Sequence, residues 1–141
     1  MIDSAQTYNW QKGIHITFEP QSESPSELKP RFSKICNELS ECESLPPECR
    51  ITDQEYSLEI LITDDSLSIR HFKVYNPGNG IGSHLLEELI SLGRAHSLSV
   101  LSIWIGASDG ATKKFLEDHD FTYSVIDDPA HGKTFEGEVI L

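Results

Sequence analysis

The feature that most constrains the fold is the order strand, glycine-rich turn, helix, strand in the middle of the chain. Residues 67–75 alternate apolar and polar side chains, as a strand with one buried face does. Glycines then stand at 78, 80 and 82, and the apolar residues from Leu85 to Ile90 recur at helical spacing. Residues 100–105 are again a β-type run. This order predicts a βαβ unit whose two strands pair in parallel.

The strand over residues 67–75 has an irregular alternation. Leu67 and Ile69 place apolar side chains on odd positions, whereas Phe72 and Val74 place them on even positions. One extra residue around positions 70 and 71 would cause this change of face, which is what a β-bulge provides. The alternative is a strand buried on both faces, in which parity carries no information.

The segments before this unit predict a strand, a helix, a loop and a further strand. Residues 14–18 alternate apolar and polar side chains. Residues 24–27, Ser-Pro-Ser-Glu, have the form of a capping box, and apolar residues follow at helical spacing over 28–39. Residues 40–50, rich in Glu, Ser and Pro, predict a mobile loop that could act as a lid. Residues 57–62 predict the next strand, followed by a tight turn.

The segments after the unit complete an α/β (α+β) pattern. A short amphipathic helix is predicted over residues 110–119, a strand over 121–125, a turn over 127–132 and a last strand over 135–140. We therefore expect one domain over residues 1–141, with a mixed central sheet flanked by helices.

The net charge of −12 makes nucleic acid an improbable partner. Nucleic-acid binding depends on Lys and Arg that neutralise phosphates, and here 23 acidic residues stand against 11 basic ones. A well-solvated surface is the ordinary explanation of the acidity, and attraction of a cationic partner is the alternative. An inhibitor that mimics nucleic acid rests on charge alone.

Hydropathy and cysteine usage suggest a cytoplasmic protein without a metal site. No apolar run approaches the roughly 20 residues of a membrane helix, and the first residues lack the basic and apolar parts of a signal peptide. The three cysteines, Cys36, Cys42 and Cys49, match no metal-binding spacing and suit a reducing compartment. Cys36 is predicted to lie in the helix core, and the other two as loop or partly buried thiols.

The glycine-rich turn is a candidate anion site. Glycines between a strand end and a helix start leave backbone N–H groups uncovered at the positive end of the helix dipole. A Walker loop is absent, and Ser83 and Leu85 stand where a dinucleotide fingerprint would need glycine. The pyrophosphate of coenzyme A fits best. A tight turn with glycines chosen only for positive φ is the alternative.

Two segments carry a family resemblance. Residues 74–86, VYNPGNGIGSHLL, resemble the acetyl-CoA-binding motif of the GCN5-related N-acetyltransferases (GNAT), Gln/Arg-x-x-Gly-x-Gly/Ala after a strand. Residues 109–121, DGATKKFLEDHDF, resemble the second motif of that family, Asn-x-x-Ala-x-x-Phe-Tyr-x-Lys-x-Gly-Phe. The resemblance covers about residues 67–125.

The resemblance implies a fold, an activity and a cofactor site. The fourth and fifth strands of the family splay apart around the pantetheine of acetyl-CoA or CoA, and a bulge in the fourth strand is a family feature. The activity implied is transfer of an acetyl group to an amine of a small molecule or protein. The residues implied to bind the cofactor are Phe72, Val74, Tyr75, Gly78, Asn79, Gly80, Ile81, Gly82, Ser83, Asp109 and Lys114.

The chain departs from the family at positions that concern chemistry. Pro77 stands at the Gln/Arg position, Asp109 at the asparagine and Asp120 at the glycine of the second motif. Leu116 stands where the family has the tyrosine that protonates the departing thiolate, and leucine cannot donate a proton. A non-catalytic module that binds acyl-CoA or a protein therefore remains the alternative function.

Other side chains are candidates for the chemistry. Glu59 and His71 are candidate general bases, and Tyr123 or Tyr75 could replace the missing tyrosine. Each has an ordinary explanation as a strand residue. His84 is predicted to be a neutral surface residue, because a cation is unfavourable in the first turn of a helix. The acceptor is expected to be an amine, and the acidic surface favours a cationic one. Whether the protein forms a homodimer is left open.

Overall fold

The computed structural model describes residues 7–9, 13–17, 28–53, 56–63, 65–75, 80–106, 110–129 and 132–141. Three helices and eight strands lie in these ranges. The elements in chain order are β1 (Thr7–Asn9), β2 (Gly13–Thr17), α1 (Leu28–Ser40), β3 (Glu48–Thr52), β4 (Tyr56–Ile62), β5 (Ser66–Val74), α2 (Ile81–Ala95), β6 (Val100–Gly106), α3 (Gly110–Asp118), β7 (Thr122–Asp128) and β8 (Gly132–Ile140).

The eight strands form one mixed sheet in the order β1-β2-β3-β4-β5-β6-β8-β7. The pairs β2–β3 and β5–β6 are parallel, and the other neighbours are antiparallel. The predicted βαβ unit is therefore confirmed, with α2 as its connection. The predicted mixed sheet flanked by helices is confirmed as well.

The core lies between one face of this sheet and the helices. Along β4, Tyr56, Leu58 and Ile60 are buried, whereas the residues between them are half-buried. Leu85 and Leu89 of α2 are also buried, at the helical spacing that the sequence shows. The helix α1 packs beside α2, and the Phe32 ring meets the Tyr56 ring edge-on at 5.7 Å between centroids. Burial of these apolar side chains stabilises the sheet and its two long helices together.

The prediction of a loop over residues 40–50 is wrong at its end. β3 begins at Glu48, and its Cys49 and Ile51 are buried. Cys49 is thus a core thiol rather than a loop thiol. The strand has only two inward side chains, and it is held by pairing with β2 and β4. A pattern this short cannot be separated from loop composition in the sequence.

The sequence prediction also missed β1, and it ended both strands of the last hairpin several residues before the turn. Asp127 pairs with Lys133 and Asp128 with Gly132, so both ends of the predicted turn over 127–132 are strand. Val125 of β7 is 51% exposed, because β7 is the last strand of the sheet. The predicted capping box at 24–27 lies outside the described residues. None of the helices described is both long and apolar enough to span a membrane.

Candidate cofactor and active site

β5 contains a bulge where the sequence alternation changes face. Glu59 of β4 pairs with His71, but the next residue of β4, Ile60, pairs with Ile69. Arg70 is therefore the extra residue, and it is exposed. The predicted bulge at positions 70 and 71 is confirmed. Because of it, Leu67 and Ile69 as well as Phe72 and Val74 lie on the core side of the sheet.

The two parallel strands of the βαβ unit separate just after this bulge. Pairing between β5 and β6 runs from Ser66 with Val100 to Ile69 with Ile103 and ends there. β5 continues to Val74 and β6 to Gly106 without pairing with each other. The N–H and C=O groups of β5 that point toward β6 beyond Ile69 are thus available to another extended group. We call the gap between residues 70–74 and 104–106 the strand opening.

The first turn of α2 lies at the C-terminal end of β5. Gly80 is the N-cap residue in the left-handed region, with φ of 79°, which a glycine adopts without strain. The first helical hydrogen bond runs from His84 N–H to the Gly80 carbonyl at 3.1 Å. The N–H groups of Ile81, Gly82 and Ser83 precede that bond, and within the described part of the chain no side chain caps them. With no acidic residue in this turn, it is suited to an anion.

Gly82 lies where α2 faces α3 and β5, and a methyl group in its place would make ordinary contacts with both. A Cβ built on Gly82 would lie 3.6 Å from the Phe115 ring, 3.7 Å from Val74 and 3.8 Å from the Phe72 ring. The rings of Phe72 and Phe115 are themselves 5.8 Å apart between centroids. These half-buried side chains form an apolar wall between the first turn of α2 and the strand opening.

His119 is a residue at this position that the sequence analysis missed. Its Nε2 lies 3.0 Å from Ser83 Oγ, and its ring packs at a tilt of 54° against that of Phe115, with centroids 4.9 Å apart. It follows α3 directly, so the second motif brings an imidazole to the first turn of α2. Only the packing of α3 against α2 reveals this, because the two residues are 36 positions apart.

The candidate bases Glu59 and His71 are cross-strand neighbours at the bulge. Glu59 also pairs with Arg50 of β3, whose Nε lies 3.2 Å from Glu59 Oε2. His71 is exposed, and Arg50 shares its guanidinium with Glu48 at 3.3 Å. Arg50, Glu59 and His71 therefore form a row on the face of the sheet opposite to the buried residues of β4.

The candidate proton donor Tyr123 lies elsewhere in the sheet. It is on β7, which β6 and β8 separate from β5. Its hydroxyl donates to Glu117 Oε1 at 2.8 Å, and this hydrogen bond raises the pKa of the phenol, with a smaller contribution from burial. Leu116, at the position of the family's tyrosine, is fully buried in the core.

Several other expected site residues have partners or lie outside the described ranges. Lys114 is exposed and pairs with Asp118 at 2.9 Å, so a phosphate contact would require this pair to open. Tyr75 is 51% exposed, with the Lys73 ammonium 5.4 Å from its ring centroid. Gly78, Asn79 and Asp109 lie outside the described residues.

His84 is half-buried rather than on the surface, which corrects the expectation for it. Its Nε2 lies 2.9 Å from Ser33 Oγ, and Ser33 also donates to Glu88 Oε1 at 3.0 Å. The ring also lies 6.5 Å from that of Phe32. These contacts join α1 to α2 and give His84 a structural position. Among the described residues, no group of three or more His, Cys, Asp and Glu could hold a metal ion.

Comparison with solved structures shows the fold of GNAT acetyltransferases. A GNAT family acetyltransferase from Elizabethkingia anophelis with acetyl-CoA bound is similar over 62% of this chain and 69% of its own, with a TM-score of 0.51 and 15% identity. Arabidopsis thaliana Naa50 in complex with the bisubstrate analogue CoA-Ac-MVNAL is similar over 60% of this chain and 64% of its own, with a TM-score of 0.51 and 14% identity.

The ribosomal-protein-S18-alanine N-acetyltransferase from Escherichia coli is similar over 61% of both chains, with a TM-score of 0.53 and 16% identity. The matched part thus spans less than two thirds of two of these three structures. The resemblance to the GNAT fold expected from the two motifs is confirmed. No family model and no curated protein sequence matches the chain.

Proposed function

We propose that the protein is an N-acetyltransferase that uses acetyl-CoA and acts on an amine acceptor. One observation carries the proposal: the bulge at Arg70 is followed at once by the strand opening, beside the uncapped first turn of α2. The bulge returns Phe72 and Val74 to the core side, and the gap leaves the backbone of β5 beyond Ile69 without β6 as a pairing partner. The GNAT fold supports the same reading.

The described residues fit coenzyme A. The N–H groups of Ile81, Gly82 and Ser83 would hold its pyrophosphate, and the apolar wall of Phe72, Val74 and Phe115 would face its pantetheine. Backbone groups of β5 at residues 72–75 would bind the amides of the pantetheine and the acyl carbonyl. Acetyl-CoA would supply the thioester whose carbonyl carbon the acceptor amine attacks, with the C–S bond breaking and CoA leaving as the thiolate. His119, next to Ser83, adds an imidazole to the phosphate side.

Within this proposal, His71 accepts the proton of the acceptor amine. His71 is exposed at the bulge, whereas Glu59 is held by Arg50 at 3.2 Å. Glu59 would have to leave its ion pair with Arg50 before it could take a proton from an acceptor amine. Glu59 is thus a positioning residue that neighbours His71 across the strand pair.

The cofactor site is tested by calorimetric titration of acetyl-CoA and CoA into the Gly80→Asp and Gly80→Asn variants. Both side chains tolerate a left-handed N-cap and have nearly equal size, so strain is matched. Only aspartate places a negative charge beside the phosphates. We expect Gly80→Asp to weaken CoA binding by about 100-fold, and Gly80→Asn by less than about fivefold. Equal affinities in the two variants, or no binding to the wild type, would refute the phosphate site.

The role of His71 is tested by the rate of thiol release from acetyl-CoA with amine acceptors. We expect His71→Ala to lower kcat by about 100-fold with CoA affinity unchanged, because general base assistance contributes at least this much. We expect Glu59→Gln to lower kcat by less than about tenfold. An unchanged kcat in His71→Ala would exclude His71 as the base.

A non-catalytic acyl-CoA-binding or protein-interaction module is the second candidate function. It is favoured by one observation, the full burial of Leu116 at the position of the proton donor. Tyr123 cannot replace it without leaving Glu117. Thiol release across a panel of polyamines, amino acids and peptides separates the two functions. Tight CoA binding with no release on any acceptor supports the module.

A further inference from the structure

We propose that an open face of the sheet around Trp104 binds a peptide segment of a partner protein that carries lysine or arginine. This surface, the Trp104 face, consists of Trp104 on β6, Glu136, Glu138 and Ile140 on β8, and Ser124 and Ile126 on β7. It is the opposite face to the one that buries Leu101 and Ile103. Binding here does not depend on CoA or on acetyl transfer.

Large apolar side chains are exposed on the Trp104 face. Trp104 is 49% exposed, Ile126 36% and Ile140 75%. Exposed apolar side chains gathered on one face of a sheet offer contact area to a partner. Trp104 would contribute most to the binding of a partner, because its ring offers a broad contact area at a small entropic cost.

Carboxylates stand beside this indole. Trp104 pairs across the sheet with Glu136, and Glu136 pairs with Ser124 on its other side. Glu138 is opposite Ser102 and therefore lies diagonal to Trp104. Directly opposite side chains in an antiparallel pair are about 5 Å apart at Cβ, so Glu136 borders the indole. Both glutamates are exposed.

The charge of the face selects the occupant. β6 carries no charged residue, and after Lys133 the charged residues of β8 are Glu136 and Glu138. A cation placed over the indole would meet both the ring and a carboxylate. A second copy of this chain would bring the same glutamates together against a net charge of −12, and a neutral apolar partner would bury them unpaired.

The spacing of the carboxylates favours an extended peptide over a small molecule. Glu136 and Glu138 point to the same side from alternate positions of one strand, about 6.6 Å apart along it. Lysines at alternate positions of an extended peptide repeat at the same distance. Small ligands are instead enclosed in concave sites, whereas this face is open.

The Trp104 face also reaches the strand opening. Ser102 Oγ donates to Ser68 Oγ at 3.0 Å, so these two residues share a face of the sheet. Trp104 lies two residues after Ser102, and His71 shares the face of Ser68 through the partners Glu59 and Leu61. Trp104 and His71 thus flank the opening on the same side. If the proposed function is correct, the bound segment carries the acceptor amine.

The test is the affinity of a fluorescein-labelled peptide of alternating lysine and serine, measured by anisotropy. We expect Trp104→Ala to weaken binding about tenfold or more and Trp104→Phe by less than about threefold, since phenylalanine keeps a ring face. We expect Glu136→Gln with Glu138→Gln to weaken binding about tenfold. The matched control is Glu41→Gln with Glu87→Gln, which removes the same charge from exposed sites on other elements.

Three outcomes would overturn the inference. The first is equal weakening by the control pair, which means attraction by net charge alone. The second is equal affinity for a peptide with glutamine in place of lysine. The third is a wild-type dimer in sedimentation that Trp104→Ala dissociates, which means that a second copy covers the face. Circular dichroism checks that each variant is folded. A wild type that binds the peptide but not CoA would refute the proposed function and leave this inference standing.

Discussion

The two halves of β5, before and after Arg70, belong to one strand but differ in burial and in pairing. In the first half, Leu67 and Ile69 are fully buried and pair with strands on both sides. In the second half, after Arg70, the side chains are half-buried or exposed and only β4 remains paired. One extra residue separates the two. The comparison teaches that a site can be made at the end of a stable strand pair without loosening the core that supports it.

A row of side chains across the sheet shows why the first half is rigid. Cys49 pairs with Ile60, Ile60 with Ile69, and Ile69 with Ile103. All four are buried on the core face. The row therefore joins four strands through continuous apolar contact, whereas the corresponding row through Leu58 and Phe72 ends at the strand opening.

The largest expected effect compares Ile69→Ala with Val74→Ala. Truncation of fully buried Ile69 leaves a cavity in the row and should lower the free energy of unfolding by about 3 kcal/mol. Val74 is half-buried, so its truncation should cost about 1 kcal/mol. Urea unfolding measures both. Equal losses would show that the second half is as tightly packed as the first.

Deletion of Arg70 removes the residue that separates the two halves of β5. Without the extra residue, β5 could continue its regular pairing beyond Ile69, and the strand opening would narrow. We expect CoA affinity to fall about tenfold or more, with the circular dichroism spectrum retained. Arg70→Ala, which keeps the residue count, should change the affinity by less than about threefold, because this side chain is exposed. Full CoA affinity in the deletion variant would mean that the bulge is not needed for binding.

A smaller effect is expected in the pH dependence of the free energy of unfolding, through the buried row that includes the first half of β5. Burial raises the pKa of the Cys49 thiol from its ordinary 9.0 to about 12, with a smaller effect of Glu48. Between these two values the unfolded chain loses a proton that the folded chain retains. The stability contributed by the un-ionised Cys49 thiol is therefore fully present below pH 9, and it is lost as the pH rises toward 12.

Urea unfolding at two pH values, one on each side of pH 9, measures this effect. Cys49→Val is the matched control, because valine has a similar size, suits a strand and does not ionise. We expect the decline in stability above pH 9 to be smaller in this variant than in the wild type. If the free energy of unfolding fell equally with pH in both proteins, water would have to reach the buried row around Cys49.

A labelling experiment sharpens the same point. Burial, the nearby Glu88 and Cys49 raise the pKa of Cys36, whereas Cys42 is only partly buried. A thiol reagent at pH 8 should therefore modify Cys42 first, and the other two only on unfolding.

Elements with local signals could be predicted from the amino-acid sequence. The order from Leu67 to Ile105 predicted the βαβ unit, and the change of parity in β5 located the bulge to within one residue. Both rest on side-chain periodicity, which is written directly in the chain. The glycines at 78, 80 and 82 likewise predicted a helix start in this segment, and α2 begins at Ile81.

Tertiary structure decided what depends on distant residues. The short strand β3 exists because β2 and β4 pair with it, and Arg50 then binds Glu59. The meeting of His119 with Ser83 depends on how α3 packs, and the pairing of Trp104 with Glu136 depends on the return of β8. Contacts of this kind join residues 9 to 36 positions apart. Local periodicity cannot predict them, because the register of the sheet and the packing of the helices determine which distant residues meet.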